Sequence, residues 1–346
     1  MTRNEHIAEH PDFPFLSPET PAVLLALLKP LGLLAPGESL ACLVRAGEGN
    51  MNLTLRATLC SGRTLIVKQS RPWVEKYDFI SAPWDRANTE SLFYRKISTV
   101  PALAHAMPRF LAADPAARLL ILEDLGPSSD LSTIYTSATP LPGATLASLA
   151  GYLRTLHDAF RDRPDAALAN PQMRSLNHAY IFDLPLKTPP EKLDAIAPGL
   201  AAATATLTAS APYLDAVSVA AHSYLTASGP CLLHGDFFPG SWLQTASGVK
   251  VIDPEFTHFG PAEFDVGVCL AHLALAAQPA ESPSTFLSGY GQGLDGKTLA
   301  TTAAIEVMRR LIGVAQLPLP PQLDKPALLR KSLATIESEN VLTLFQ

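Results

Sequence analysis

The stretch LLHGDFFPGSWLQTASGVKVIDPEF, Leu232 to Phe256, sets His234, Asp236, Asp253 and Glu255 inside apolar sequence. A solvated loop would be more polar around such groups. A core strand does not tolerate an unpaired carboxylate, because burying one without a partner is costly. The carboxylates therefore need each other, a cation or a ligand. Asp236 falls in a loop between two apolar runs, Asp253 ends the run VKVI, and Glu255 stands two residues on, past Pro254. If the two runs pair as a ribbon, Asp236 and Asp253 come to neighbouring ends of it. One carboxylate can then accept a proton while the other two hold a divalent cation. Oxygen ligands of this kind suit Mg²⁺, which takes one or two carboxylates plus substrate phosphates.

That division of labour is the one phosphoryl transfer of the kinase type requires, together with a lysine on a strand, a glutamate on the next helix and a glycine-rich loop. Here HGDFFPGS, His234 to Ser241, stands for the catalytic loop and DPE, Asp253 to Glu255, for the metal-binding turn. Lys68 ends the β-like run TLIVK, Glu90 lies in the helical segment that follows, and GEGNMN, with Gly47, Gly49 and Asn50, precedes the lysine. No one of these is specific: a glycine-rich turn is commonly a hairpin, and Lys68 alone would read as a solvated strand end. Their order along the chain is the specific signal. His234 reads as a structural histidine bonded to backbone.

Around these motifs the texture changes once. After an apolar helix at PAVLLALLKPLGLL, residues 41–126 read as antiparallel strands, with a hairpin at Ser61-Gly62, two strands joined by ADPAA, and one helix whose first turn holds Asn88 and Thr89 and whose packed face is Leu92, Phe93 and Ile97. Beyond Gly126 the pattern is helical, with Pro198 and Pro212 as breaks and helices near 262–277 and 296–315. The expected fold is α+β: a β-rich N-terminal lobe, residues 1–125, handling the nucleotide, and a mainly helical C-terminal lobe, residues 126–346, holding the catalytic loop, metal site and substrate site. The length of 346 residues fits two lobes at roughly 100–200 residues each.

With 47% apolar and 17% charged residues the chain is globular. A net charge of −6 without a basic run argues against a nucleic-acid or acidic-membrane partner. Scattered Cys42, Cys60, Cys231 and Cys269 read as reduced thiols. The N-terminus lacks a signal-peptide layout and no apolar run is long enough to span a membrane, so the cytoplasm is expected. The sequence admits a homodimer.

The motifs resemble the aminoglycoside-phosphotransferase-like small-molecule kinases, and within them the methylthioribose kinase branch, over most of residues 43–315. That branch has H-G-D-x-x-x-G-S with serine where most relatives have asparagine, as at Ser241, and a segment similar to DPEFTHFGPAEFDVG, Asp253 to Gly267. The resemblance implies a protein-kinase-like fold, ATP and Mg²⁺ as cofactors, and a sugar-like alcohol as acceptor. It makes Asp236 the catalytic base, Asp253 and Glu255 the metal ligands, and Lys68 the phosphate contact paired with Glu90. It makes residues 122–126, LEDLG, with Glu123 and Leu125, an adenine-contacting hinge and Arg309 and Arg310 substrate contacts, with His234 and Ser241 supporting. The sequence departs from the branch in shorter connecting loops and in Phe237 and Phe238 after the aspartate, where the branch has Leu-His. Other acceptors, including small alcohols and aminoglycosides, stay open. So do a metal-dependent hydrolase built on His234, Asp236, Asp253 and His258, and a non-catalytic nucleotide-binding module.

Overall fold

The computed structural model describes residues 3–47, 51–137 and 139–346, and the chain divides into two units, Met1–Pro127 and Ser128–Gln346. In the first, α1 (Arg3–Glu9) and α2 (Pro21–Leu28) lead into β1 (Leu40–Arg45), β2 (Leu53–Leu59) and β3 (Thr64–Gln69). Then come the small hairpin β4 (Trp73–Val74) and β5 (Tyr77–Ser81), α3 (Arg86–Ile97), α4 (Pro101–Ala106), β6 (Phe110–Asp114) and β7 (Leu119–Glu123). The main sheet is antiparallel in the order β1-β2-β3-β7-β6.

Side chains alternate across a strand, so one face of β2 can be wholly apolar. Leu53, Leu55, Ala57 and Leu59 are buried with Leu65 and Val67 of β3 and Leu24 and Leu28 of α2 in one core. Burying each such leucine contributes about 2 kcal/mol. Gln69 ties the N-terminal segment to this face: its Oε1 accepts from Leu16 N at 2.9 Å, and its Nε2 donates to Pro14 O and Ala117 O. Gly62 takes φ +85 in the β2–β3 hairpin, a conformation open to glycine at no steric cost. The two strands expected around ADPAA are β6 and β7.

Helix α3 begins at Arg86, so Asn88 and Thr89 lie in its first turn as expected, but its packed face differs: the buried stripe is Ala87, Glu90, Phe93, Tyr94 and Ile97. Leu92 is 39% exposed. The reason is that a charged residue, Glu90, occupies the core-facing position at i and i+3, i+4 and i+7 spacing, which leaves Leu92 off the stripe. The buried Arg86 fixes the start by donating to the carbonyls of Arg71, Pro83, Met51 and Trp73.

In the second unit β8 (Ser129–Asp130) and a 3₁₀ turn, Leu131–Tyr135, precede α5 (Gly143–Ala159), α6 (Pro171–His178), α7 (Pro190–Ile196), α8 (Leu200–Ala209) and α9 (Ala211–Thr226). The break expected at Pro212 falls between α8 and α9, where Ser210 is extended. Pro212 itself sits in the first turn of α9, where its missing N–H is no loss, and Ser210 caps the helix by accepting from Tyr213 N. Four short strands follow, β9 (Cys231–Leu233), β10 (Trp242–Thr245), β11 (Gly248–Val251) and β12 (His258–Gly260), then α10 (Glu263–Leu275), α11 (Ser282–Tyr290), α12 (Gly296–Ile312) and α13 (Lys325–Ser338). Helix α11 escapes the sequence pattern because SPSTFLSGY has few apolar residues. Every residue of α10 is buried, which makes it the axis of the unit. No helix among the described residues is long and apolar enough to cross a membrane.

The ribbon expected across the opening stretch is rearranged. β10 pairs with β11, but β9, the run before the loop that holds Asp236, pairs with β12 instead. The loops 234–241 and 252–257 therefore each connect two separate antiparallel pairs, one nested inside the other in sequence.

Candidate active site

The loop after β9 is held from behind. Asp265, in the first turn of α10 and fully buried, accepts from His234 N at 2.7 Å, Gly235 N at 2.9 Å and His157 Nε2 at 3.2 Å. Burial pushes the Asp265 carboxyl up, but the hydrogen bond and charge of His157, with the Gly235 amide, outweigh it and hold the group below its ordinary value. His157 Nδ1 meets Tyr290 OH at 2.9 Å. Gly235 has φ +88, and a Cβ there would stand 2.2 Å from the Phe256 carbonyl oxygen, so the loop closes on its neighbour only with glycine.

His234 takes the structural part expected of it. Burial lowers its pKa. The neutral ring donates from Nε2 to Ile252 O at 2.9 Å and accepts from Asp236 N at Nδ1, 3.4 Å. It thereby joins the Asp236 loop to the end of β11. Ser241 Oγ donates to Asp236 O at 3.0 Å and closes the loop on itself. Phe237 is core, stacked on Tyr152 and edge-on to His234. Phe238 lies over the Arg310 guanidinium, 5.1 Å from its centre.

These contacts leave the Asp236 side chain 19% exposed. Its Oδ1 is buried with no hydrogen-bond partner among the described residues. Burial raises its pKa, against the opposing pull of Arg309 and Arg310. Asp253 is held at φ +64, in the left-handed region. Glu255 is buried, and its carbonyl accepts from Asn170 Nδ2 at 3.0 Å, as does that of Thr257. Asn170 was not anticipated; no local pattern links it to a loop 85 residues away.

Arg309 and Arg310 are largely buried on α12. Glu306 binds both, through Arg309 Nη1 at 3.1 Å and Arg310 Nε at 2.7 Å, and Arg310 Nη2 lies 3.7 Å from Asp236 Oδ1. The arginine pair thus stands beside Asp236. His258 does not join them: its Nδ1 donates to Phe256 O at 3.0 Å, and burial lowers its pKa to about 4. Among the described residues no three His, Cys, Asp or Glu side chains converge to hold a metal ion.

In Met1–Pro127, Lys68 on β3 and Glu90 on α3 form a buried ion pair at 2.6 Å, with exposures of 4% and 0%. Gly47 has φ +72; Gly49 and Asn50 lie outside the described residues. Glu123 is turned to Arg109, with Nε–Oε1 at 3.3 Å. Its neighbour Asp124, unremarked in the sequence, is the anchored residue of this segment. It takes Arg56 through both oxygens, at 2.7 and 3.0 Å, and accepts from Gly126 N. Leu125 is half-buried between them in sequence.

The phosphotransferase enzyme family model matches residues 43–305. The chain belongs to this family. It is 30% identical over 250 residues to a methylthioribose kinase of Exiguobacterium sibiricum, covering 67% of this chain and 61% of that one. It is 28% identical over 258 residues to a methylthioribose kinase of Cronobacter sakazakii, covering 70% and 62%. The matched region spans about three-fifths of the length of these curated relatives. Choline kinase LicA from Streptococcus pneumoniae has a similar fold, with a TM-score of 0.52 at 13% identity over 91% of this chain and 98% of that one. The α+β, protein-kinase-like fold expected from the motifs is the fold of this chain.

The anchoring of the loop is testable through Asp265→Asn. The variant loses the charge on which two amides and a histidine converge, at a cost of about 3 kcal/mol in urea unfolding. A carboxylate depressed in the fold contributes stability that is full above its unfolded value, about 3.9, and lost as pH falls through the folded value. The stability difference between wild type and Asp265→Asn should therefore shrink below about pH 4. An unchanged urea midpoint at pH 7 would remove Asp265 from this role.

Proposed function

We propose that this phosphotransferase is an ATP-dependent kinase that transfers the γ-phosphoryl group to a hydroxyl of a small sugar-like molecule, methylthioribose or a related compound. The observation that carries the reading is Asp236 Oδ1, a buried acceptor on a pinned loop with no hydrogen bond of its own. Buried polar atoms without partners are rare and call for a reason; an incoming hydroxyl supplies one. Asp236 acts as the base, and burial tunes it upward, which favours taking a proton. Lys68, oriented by Glu90, neutralises phosphate charge. The glycine-rich stretch holding Gly47, Gly49 and Asn50 is the part proposed to cover the phosphates, and the segment Glu123 to Leu125 offers backbone groups to adenine. Arg309 and Arg310 meet the acceptor side of the reaction, and His234 and Ser241 hold the loop.

Asp253 and Glu255 fit Mg²⁺: both offer hard oxygens, on a segment whose backbone Asn170 fixes, and Mg²⁺ shared with phosphates needs only one or two carboxylates. When bound, the ion neutralises charge on the nucleotide phosphates. The methylthioribose kinases matched above support the acceptor class, and the use of ATP supports a cytoplasmic setting. The test is ADP release with Mg²⁺ and ATP across methylthioribose, other pentoses, amino alcohols and aminoglycosides. The expected result is turnover with methylthioribose or a neutral pentose. ADP release only with aminoglycosides, or substrate cleavage without nucleotide, would overturn the reading.

A further inference from the structure

Behind Asp236 runs a line of buried polar groups to which the proposed reaction gives no task. Glu306 on α12 is 2% exposed. Its Oε1 accepts from Arg310 Nε at 2.7 Å and His272 Nε2 at 3.1 Å, and its Oε2 from Arg309 Nη1 at 3.1 Å. Burial opposes its charge, but the two arginines and His272 outweigh it and hold the carboxyl well below its usual range. His272 on α10 is neutral at pH 7, since burial brings its pKa to about 4. Its one proton faces the carboxylate, so Nδ1 accepts from Tyr135 OH at 2.5 Å. Every donor in this line points toward Glu306.

At the other end Arg310 stops short. Its Nη2 is 3.7 Å from Asp236 Oδ1, near enough to pair charges and too far for a hydrogen bond. Phe238 covers the guanidinium and lies 5.3 Å from the His272 ring. An arginine free to move beside a carboxylate closes to a charge-assisted hydrogen bond, at 2.7–2.9 Å. That bond would occupy the lone pair a base needs.

We propose that Glu306, backed by His272 and Tyr135, is a positioning residue that holds Arg310 close enough to neutralise Asp236 and too far to hydrogen-bond its Oδ1. The acceptor hydroxyl then finds that oxygen open. The inference rests on Asp236 as the base. The charged and titratable groups that act on Asp236 are Arg309, Arg310 and Glu306 from α12, His234 from its own loop, Tyr135 from the turn after β8 and Tyr224 from α9.

The test reads ADP release from Mg²⁺ and ATP with methylthioribose as acceptor and, in parallel, with water. Glu306→Gln should lower kcat on the order of 10- to 100-fold in both assays and leave KM for ATP unchanged. The acid limb of kcat/KM should move to lower pH, because the arginine pair is no longer balanced. Glu306→Asp keeps the charge and should recover most of the loss. In an Arg310→Gln background nothing is left to restrain, and Glu306→Gln should cost less than about threefold more. Tyr135→Phe, which keeps the ring and leaves both arginines, should shift the acid limb in the same direction and carries the test if Glu306→Gln does not fold. A wild-type kcat in Glu306→Gln, an equal loss in both backgrounds, or a Tyr135→Phe variant with an unmoved acid limb would overturn the positioning role. If Asp236→Asn keeps wild-type rates, the base itself is wrong. If Asp236→Asn is inactive and Glu306→Gln is normal, only the positioning fails.

Discussion

Asp236→Asn should lower kcat by about 10²–10⁴-fold while leaving nucleotide affinity within a few-fold of wild type. The amide is nearly the same shape as the carboxylate, so His234, Ser241 and Asp265 keep the loop in place through backbone contacts that the substitution does not touch. What is lost is the proton acceptor. The same change should not weaken the fold. Burial raises the Asp236 pKa in the folded chain, against the arginine pair. A carboxyl raised in the fold favours the folded state at low pH, and that contribution disappears as pH rises through the folded value. At pH 7 the ionised side chain is therefore a net burden on the fold, and its neutral replacement relieves it. The expected result is a melting temperature equal to or above wild type beside a collapsed kcat. Activity and stability moving down together would mean that Asp236 is a structural residue. In wild type the acid limb of kcat/KM should lie above the ordinary carboxylate range, and it should vanish with the base.

The two carboxylate clusters were readable because each is compressed into a few residues, His234 to Ser241 and Asp253 to Glu255, and compressed motifs survive in one dimension. Lys68 and Glu90 were readable because each sits in a clearly patterned element, with only the small β4–β5 hairpin between strand and helix. The pairing of β9 with β12 was not. Each is a three-residue strand, too short to carry a period, and the more obvious hairpin between β10 and β11 lies between them. Asp265 lay in plain view within EFDVG, yet its task depends on α10 returning under the loop. Glu306 had a weak local signal, since it stands three and four residues before the arginines, the spacing at which helix side chains meet. Its other partner His272, and Tyr135 behind that, are reached only by tertiary packing; Tyr135 and His272 are 137 residues apart. Sequence therefore marked the groups proposed to act on substrate and missed those that hold them.

Lys68→Met should lower kcat/KM for ATP by about 10²–10³-fold, the loss expected when one preorganised cation is removed from a developing charge. It should also destabilise the chain by about 3–5 kcal/mol, because it removes the ion-pair partner of the buried Glu90 carboxylate. Glu90→Gln alone should cost a similar amount of stability for the mirror-image reason. It should raise KM for ATP more than it lowers kcat, because Lys68 keeps its charge but loses the partner that aims it. The informative variant is the double one. Replacing both members of a buried pair by uncharged groups of similar size removes the desolvation cost along with the attraction, and is often neutral for folding. Lys68→Met with Glu90→Gln should thus regain most of the urea midpoint lost by either single change and regain none of the activity. If the double variant recovers both, the pair is part of the hydrophobic core and nothing more. If it recovers neither, the lysine and glutamate have partners beyond each other, and the two effects cannot be separated at this pair. Recovery of stability alone leaves one account: the fold tolerates the loss of these two charges, and the nucleotide does not.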